Sequence, residues 1–220
     1  MFGFRILTAV LLVALAGCAS PPRLPALPLA LASETSPFGI PNARYYPDTD
    51  GKKLEALGKA SIQKELRANA GKLSSLQPAS FLAISGGGDS GAFGAGLLCG
   101  WSTRGDRPKF KLVTGVSTGA LSAPFVFLGP DYDHALAQVY TTIQASDVFE
   151  PRKALVAAVS ADALTDSAPL RGMITRFMDR QMISRIAEEY SKGRLLLIMT
   201  TNLDQGRPVI WDIGAIAASG

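Results

Sequence analysis

Two glycine-framed turns, each set between a short apolar run and a stretch of small apolar residues, constrain this chain more than any other feature. The first is Gly86-Gly87-Gly88-Asp89-Ser90-Gly91, preceded by Phe81-Leu82-Ala83-Ile84. The second, about one βα unit later, is Gly115-Val116-Ser117-Thr118-Gly119, preceded by Phe110-Lys111-Leu112-Val113. Each apolar run reads as a buried strand, and the small residues beyond each turn read as a helix. A serine held at a sharp strand-to-helix turn, facing a glycine-rich loop of free backbone N–H groups, is what acyl transfer needs.

The rest of the chain continues the alternation. The periodicity predicts helices over about 52–69, 91–100, 118–127 and 131–144, and one long amphipathic helix over about 170–190. Leu195-Leu196-Leu197-Ile198-Met199 is a near-continuous apolar run, as expected of a strand covered on both faces. Pro208 to Trp211 reads as a further strand, joined to it through Asp204-Gln205-Gly206. Strands alternating with helices predict an α/β fold, a three-layer α/β/α sandwich around a mostly parallel sheet.

The N-terminus reads as a targeting segment. Arg5 precedes an apolar run, Ile6 to Leu15, that is too short to span a membrane comfortably. It ends in Leu15-Ala16-Gly17-Cys18, which resembles the lipobox of bacterial lipoproteins. That implies cleavage after residue 17 and lipidation of Cys18, against the alternative of an ordinary cleaved signal with a chance cysteine. Ala19 follows in place of the aspartate that retains lipoproteins at the inner membrane, so the expected location is the outer membrane facing the periplasm. Prolines crowd residues 18–50, which read as an extended tether, leaving 51–220 as the catalytic domain. With Cys18 lipidated, Cys99 has no disulfide partner. The formal charge is only +4. Arg171, Arg176, Arg180 and Arg185, mixed with Asp179, Glu188 and Glu189, read as a solvated helix face, not a nucleic-acid groove.

Other chemistries can be weighed on the same residues. Gly86, Gly88 and Gly91 fit the dinucleotide-binding Gly-x-Gly-x-x-Gly, and Asp106 lies roughly where a ribose-binding acid belongs. Yet Arg104-Gly105-Asp106-Arg107-Pro108 reads as a turn, not a strand end. A phosphate-binding Walker loop lacks its Gly-Lys-Ser/Thr. The only histidine, His134, stands 17 residues after Ser117 inside a predicted helix, which suits a surface role better than a triad. The base for Ser117 is therefore expected to be a carboxylate.

A strand, Gly-Gly-Gly-x-x-Gly, and then Gly-x-Ser-x-Gly without a usable histidine resemble the patatin-like phospholipases over about Ala79 to Trp211. The resemblance implies a Ser–Asp dyad on an α/β/α fold, acting on lipid acyl esters of the membrane without metal or organic cofactor. Ser117 would be the nucleophile. The backbone N–H groups of Gly86, Gly87 and Gly88 would form the oxyanion hole, with Gly91, Gly115 and Gly119 completing the two motifs. Ser90 stands where family members often carry a basic residue. The family's downstream Asp-Gly motif has no counterpart here, since the only Asp-Gly is Asp50-Gly51. Asp212, which follows a predicted strand, is the candidate base within the chain. The stronger expectation is an aspartate beyond Gly220, with this chain a piece of a longer domain. A lipoprotein that keeps the fold but binds lipid or a partner without catalysis is the alternative.

Overall fold

The computed structural model describes residues 26–32, 34–72, 76, 78–141, 150–151, 165–166 and 168–220. The stretch read as a signal segment, Cys18 and the start of the stretch read as a tether lie outside the described residues. In chain order the strands are β1 (Arg44–Tyr45), β2 (Phe81–Ile84), β3 (Leu112–Val116), β4 (Glu150–Pro151), β5 (Thr165–Asp166), β6 (Leu195–Asn202) and β7 (Arg207–Asp212). The helices are α1 (Leu29–Ala32), α2 (Gly51–Ala68), α3 (Gly91–Arg104), α4 (Thr118–Leu128), α5 (Asp133–Thr141), α6 (Ala168–Phe177), α7 (Arg180–Ser191) and α8 (Ile213–Ala218). The chain divides into two units, 1–26 with 143–175 and 27–142 with 176–220. Within the first, β4 and β5 pair antiparallel. The sheet and the site described below belong to the second.

Its sheet runs β1-β7-β6-β3-β2. β2, β3 and β6 are parallel, with Ile84 beside Gly115 and Val116 beside Met199. The β6–β7 hairpin and β1 add antiparallel strands at the other side, so the sheet is mixed but mostly parallel. Successive residues of a strand face opposite sides. Leu112 accordingly joins Leu54, Leu57 and Leu195 under α2, whereas Gly115 meets Gly119 and Ala120 of α4 on the other face. Helices thus cover both faces of the sheet, the α/β sandwich expected.

α4 is apolar all round, and a helix of that kind is a buried one. Ala123, Phe125, Val126 and Phe127 are all buried. Its far end is tied by the buried Arg194 at the start of β6. The Arg194 guanidinium donates from Nε to the Phe110 carbonyl at 2.8 Å and from Nη1 to Glu189 at 2.8 Å. It also donates to the Phe127 carbonyl and stacks 4.2 Å above the Phe127 ring.

Several boundaries differ from the sequence reading. The long helix expected over 170–190 is two helices, because Asp179 is in extended backbone and caps α7 by accepting from the Met182 N–H at 2.7 Å. α3 runs on to Arg104 and stops at Gly105, whose φ of 86° only glycine adopts readily. α5 begins at Asp133, after a single 3-10 turn at Pro130–Tyr132. The end of the stretch read as tether contributes to the body. Arg44 and Tyr45 pair with Trp211 and Ile210, and Tyr45 and Tyr46 are buried.

Candidate active site

β3 ends at Val116 and α4 begins at Thr118, leaving one residue to reverse the chain. That residue, Ser117, has φ 53° and ψ −124°. A side chain in this region costs about 1–3 kcal/mol and persists only where its surroundings enforce it. The enforcement comes from main chain packed on main chain. A Cβ at Gly119 would lie 2.7 Å from both the Ile84 carbonyl carbon and the Ser85 oxygen, and one at Gly115 would lie 2.7 Å from the Gly119 carbonyl carbon. Glycine at both positions lets the elbow seat directly on the end of β2.

Gly86, the first residue of the glycine loop, abuts the serine itself. A Cβ built there would be 2.8 Å from Ser117 Cβ and 3.4 Å from Ser117 Oγ. Gly87 and Gly88 follow, both exposed like Ser117. Gly88 has open space around it. Among the described residues, no turn or loop carbonyl takes the N–H of Gly86, Gly87 or Gly88. Ser117 holds the N-cap position of α4 without a side-chain capping bond. Its hydroxyl is therefore not spent on the helix, and the positive end of the α4 dipole lies beside it. A hydroxyl, a loop of uncommitted N–H groups and a helix N-terminus meeting at one exposed point can attack a carbonyl and hold the resulting oxyanion.

The structure does not bring Asp212 to this point. Asp212 pairs with Leu197, and Leu197 with Thr114. Asp212 therefore sits two strands away from β3, level with Thr114 and three residues short of Ser117. At ordinary sheet spacings that is about 10 Å across and about 10 Å along. Asp212 is fully buried and caps α8, accepting from the Ala215 N–H at 2.9 Å. Burial pushes its carboxyl up, opposed by the Ala215 and Gly214 N–H groups, Lys64 and Tyr190. Its role here is structural.

The remaining sequence candidates fall away from Ser117 as well. His134 is exposed on α5. Asp106 is ion-paired with Arg104 at 2.6 Å in the turn after α3, not at the end of a second strand as a ribose acid would be. Cys99 is half-buried, its thiol pushed up by burial. The described clefts open at the C-terminal end of α4 and beyond, around Gly129, Asp131 and Arg185, away from Ser117. Among the described residues no cluster of three potential metal ligands occurs, and no helix is long and apolar enough to cross a membrane. Sequence reading missed one group at the site. The Tyr140 hydroxyl donates to the Thr118 carbonyl at 2.9 Å and shares a 2.7 Å hydrogen bond with Ser122. A tyrosine near the end of a helix carries no sequence signal for such a contact.

An α/β sandwich with a strained serine elbow against a glycine loop defines a scaffold for serine acyl transfer. Residues 82–210, more than half of the chain, match the family model described as patatin-like phospholipase, and the chain belongs to that family. The family's members are in general serine acyl hydrolases acting on lipids. Comparison with curated proteins and with solved structures gave no match.

Proposed function

We propose that this protein hydrolyses lipid acyl esters with Ser117 as the nucleophile. One observation carries the reading: a serine in a strained strand-to-helix turn, with the Gly86 backbone against its side chain. Ser117 Oγ attacks the ester carbonyl, and its proton passes to a carboxylate base. The carbonyl oxygen gains negative charge and accepts hydrogen bonds from the N–H groups of Gly86, Gly87 and Gly88. The alcohol leaves with the proton, and water, activated by the same carboxylate, releases the acid from the acyl-serine. Asp212 is not that base, given its place two strands away. The family resemblance implies an aspartate of an Asp-Gly motif. Lipidation at Cys18 would hold the enzyme at the outer membrane facing the periplasm, next to its substrate. The lipobox-like Leu15-Ala16-Gly17-Cys18 supports this.

Fluorophosphonate labelling of the folded protein, read by intact mass, tests the nucleophile. The expected result is a single adduct on the wild type and none on Ser117→Ala. Equal labelling of Ser117→Ala puts the reactive group on another residue and overturns Ser117 as the nucleophile, whereas no labelling of the wild type overturns the reading in favour of a lipid-binding protein without turnover.

A further inference from the structure

We propose that Tyr140 is a positioning residue that braces the nucleophile elbow against the glycine loop, so that the two move as one body. The inference rests on the hydrolase reading for its catalytic meaning, but its geometry stands apart from it.

α5 runs alongside α3 and is fastened to it at one end. Arg107 donates to both Asp133, at 2.9 Å, and the Leu98 carbonyl, at 3.2 Å, with its side chain almost wholly buried. Two turns further on, Tyr140 leaves the other end of α5 and reaches the place where both glycine turns begin their helices. Its hydroxyl donates to the carbonyl of Thr118, the residue after the nucleophile. Ser122 Oγ lies within hydrogen-bond reach of both groups, 2.7 Å from the phenol oxygen and 3.2 Å from the same Thr118 carbonyl, so the hydroxyl of Tyr140 is the one of the two that comes from another helix. The same hydroxyl lies over Gly91, the first residue of α3. A Cβ there would fall 2.8 Å from Tyr140 Oη, 2.9 Å from Tyr140 Cε1 and 3.0 Å from Thr118 Oγ1. One phenol thus touches the last glycine of the first motif and the peptide next to Ser117 in the second. No ladder hydrogen bond can do this, because pairing between β2 and β3 ends at Ile84 and Gly115, before either turn.

The oxyanion donors act only if their distance from the nucleophile is fixed, and misplacement by about 1 Å costs about a hundredfold in rate. A neutral hydrogen bond such as Tyr140 to Thr118 is worth about tenfold in a local opening equilibrium.

The test is Tyr140→Phe, which keeps the ring and removes the hydroxyl. Hydrogen exchange read by mass spectrometry should show amide exchange rising about fivefold to tenfold in the peptide covering residues 115–121 and, within the first turn, at Ser90 and Gly91, whose N–H groups are bonded to loop carbonyls. Peptides from the β6–β7 hairpin should stay unchanged. Ser117 should label with fluorophosphonate about tenfold more slowly, and any ester turnover should fall in kcat with KM held. Gly91→Ala, which pushes the hydroxyl from the opposite side, should give the same pattern, and the two changes combined should do little more than either. Unchanged exchange in both turns of Tyr140→Phe overturns the brace, as does a rise spread evenly over the chain. A wild type that fails to label removes the hydrolase reading, while the exchange result still decides the brace.

Discussion

Adding one methyl group at Gly86 should cripple Ser117, the nucleophile proposed here, while leaving the fold in place. A Cβ at that position would sit 2.8 Å from Ser117 Cβ, whereas carbon atoms rest comfortably at about 3.5–4.0 Å. Relief requires a separation of about 0.7 Å, shared between the loop and the serine. Gly86 does not have the positive φ that would strain alanine by itself, and the contact is with an exposed side chain. The stability cost is therefore that of mild overpacking, about 1 kcal/mol. The catalytic cost is larger. A displacement approaching 1 Å between nucleophile and oxyanion donors is worth about a hundredfold, or about 2.7 kcal/mol of barrier. Gly86→Ala should melt within a few degrees of the wild type, yet Ser117 should label with fluorophosphonate about a hundredfold more slowly. Gly88→Ala, whose Cβ points into open space but whose φ is 53°, should lose about 1 kcal/mol of stability with a smaller effect on labelling. Labelling of Gly86→Ala at the wild-type rate would refute the contact between loop and nucleophile on which the site rests.

Gly119→Ala places a methyl group into the backbone at Ile84 and Ser85, so stability should drop by about 3 kcal/mol and Tm by about 6–12 °C. Gly58→Ala, in the open on α2, should stabilise by about 0.5–1 kcal/mol. Equal melting temperatures for those two variants would contradict the packing. Asp212 has a folded-state carboxyl raised above its ordinary 3.8 by burial. The folded form binds the extra proton in that window, so stability falls as pH rises through it. Asp212→Asn keeps a capping side chain and should flatten that part of the pH–Tm profile while raising Tm at pH 7. An unaltered slope would show that Asp212 does not titrate as described. Burial pushes the Glu189 carboxyl up, but hydrogen bonds from Lys109, Arg194 and Lys192 outweigh it and hold it at about 2. Its contribution is present above the ordinary 4.5 and lost as pH falls towards 2. Glu189→Gln leaves the buried Arg194 without its counter-charge and should cost about 3–5 kcal/mol in urea unfolding at pH 7.

The two glycine turns made the centre of the fold legible in the sequence. Apolar runs before them and small residues after them have few other stable arrangements, and the structure sets those strands side by side. β6 was legible for the same reason, since five consecutive apolar residues have no solvated face. What escaped reading depends on contacts distant in sequence. β1 is two residues long and exists because Arg44 and Tyr45 find β7, more than 160 residues later. The break between α6 and α7 turns on whether Asp179 caps or continues, a choice decided by one hydrogen bond to Met182. Asp212 drew attention as a carboxylate at a strand end, but the antiparallel return of β7 carries it towards the opposite end of the sheet from Ser117. Strand direction is what the local pattern does not encode.

The seat of Ser117 on the end of β2 has a consequence for how such chains diverge. The elbow is held by peptide groups touching peptide groups, at Gly115, Gly119, Ile84 and Ser85, and the hydroxyl contributes nothing to that hold. Losing the serine therefore removes chemistry without loosening the scaffold, whereas losing a glycine unseats both. Descendants that abandon catalysis are free to change residue 117 while their glycines stay put. An intact pair of glycine frames marks inheritance of the architecture, and the proposed chemistry is recorded separately, in the residue between Val116 and Thr118 and in the carboxylate that would serve it.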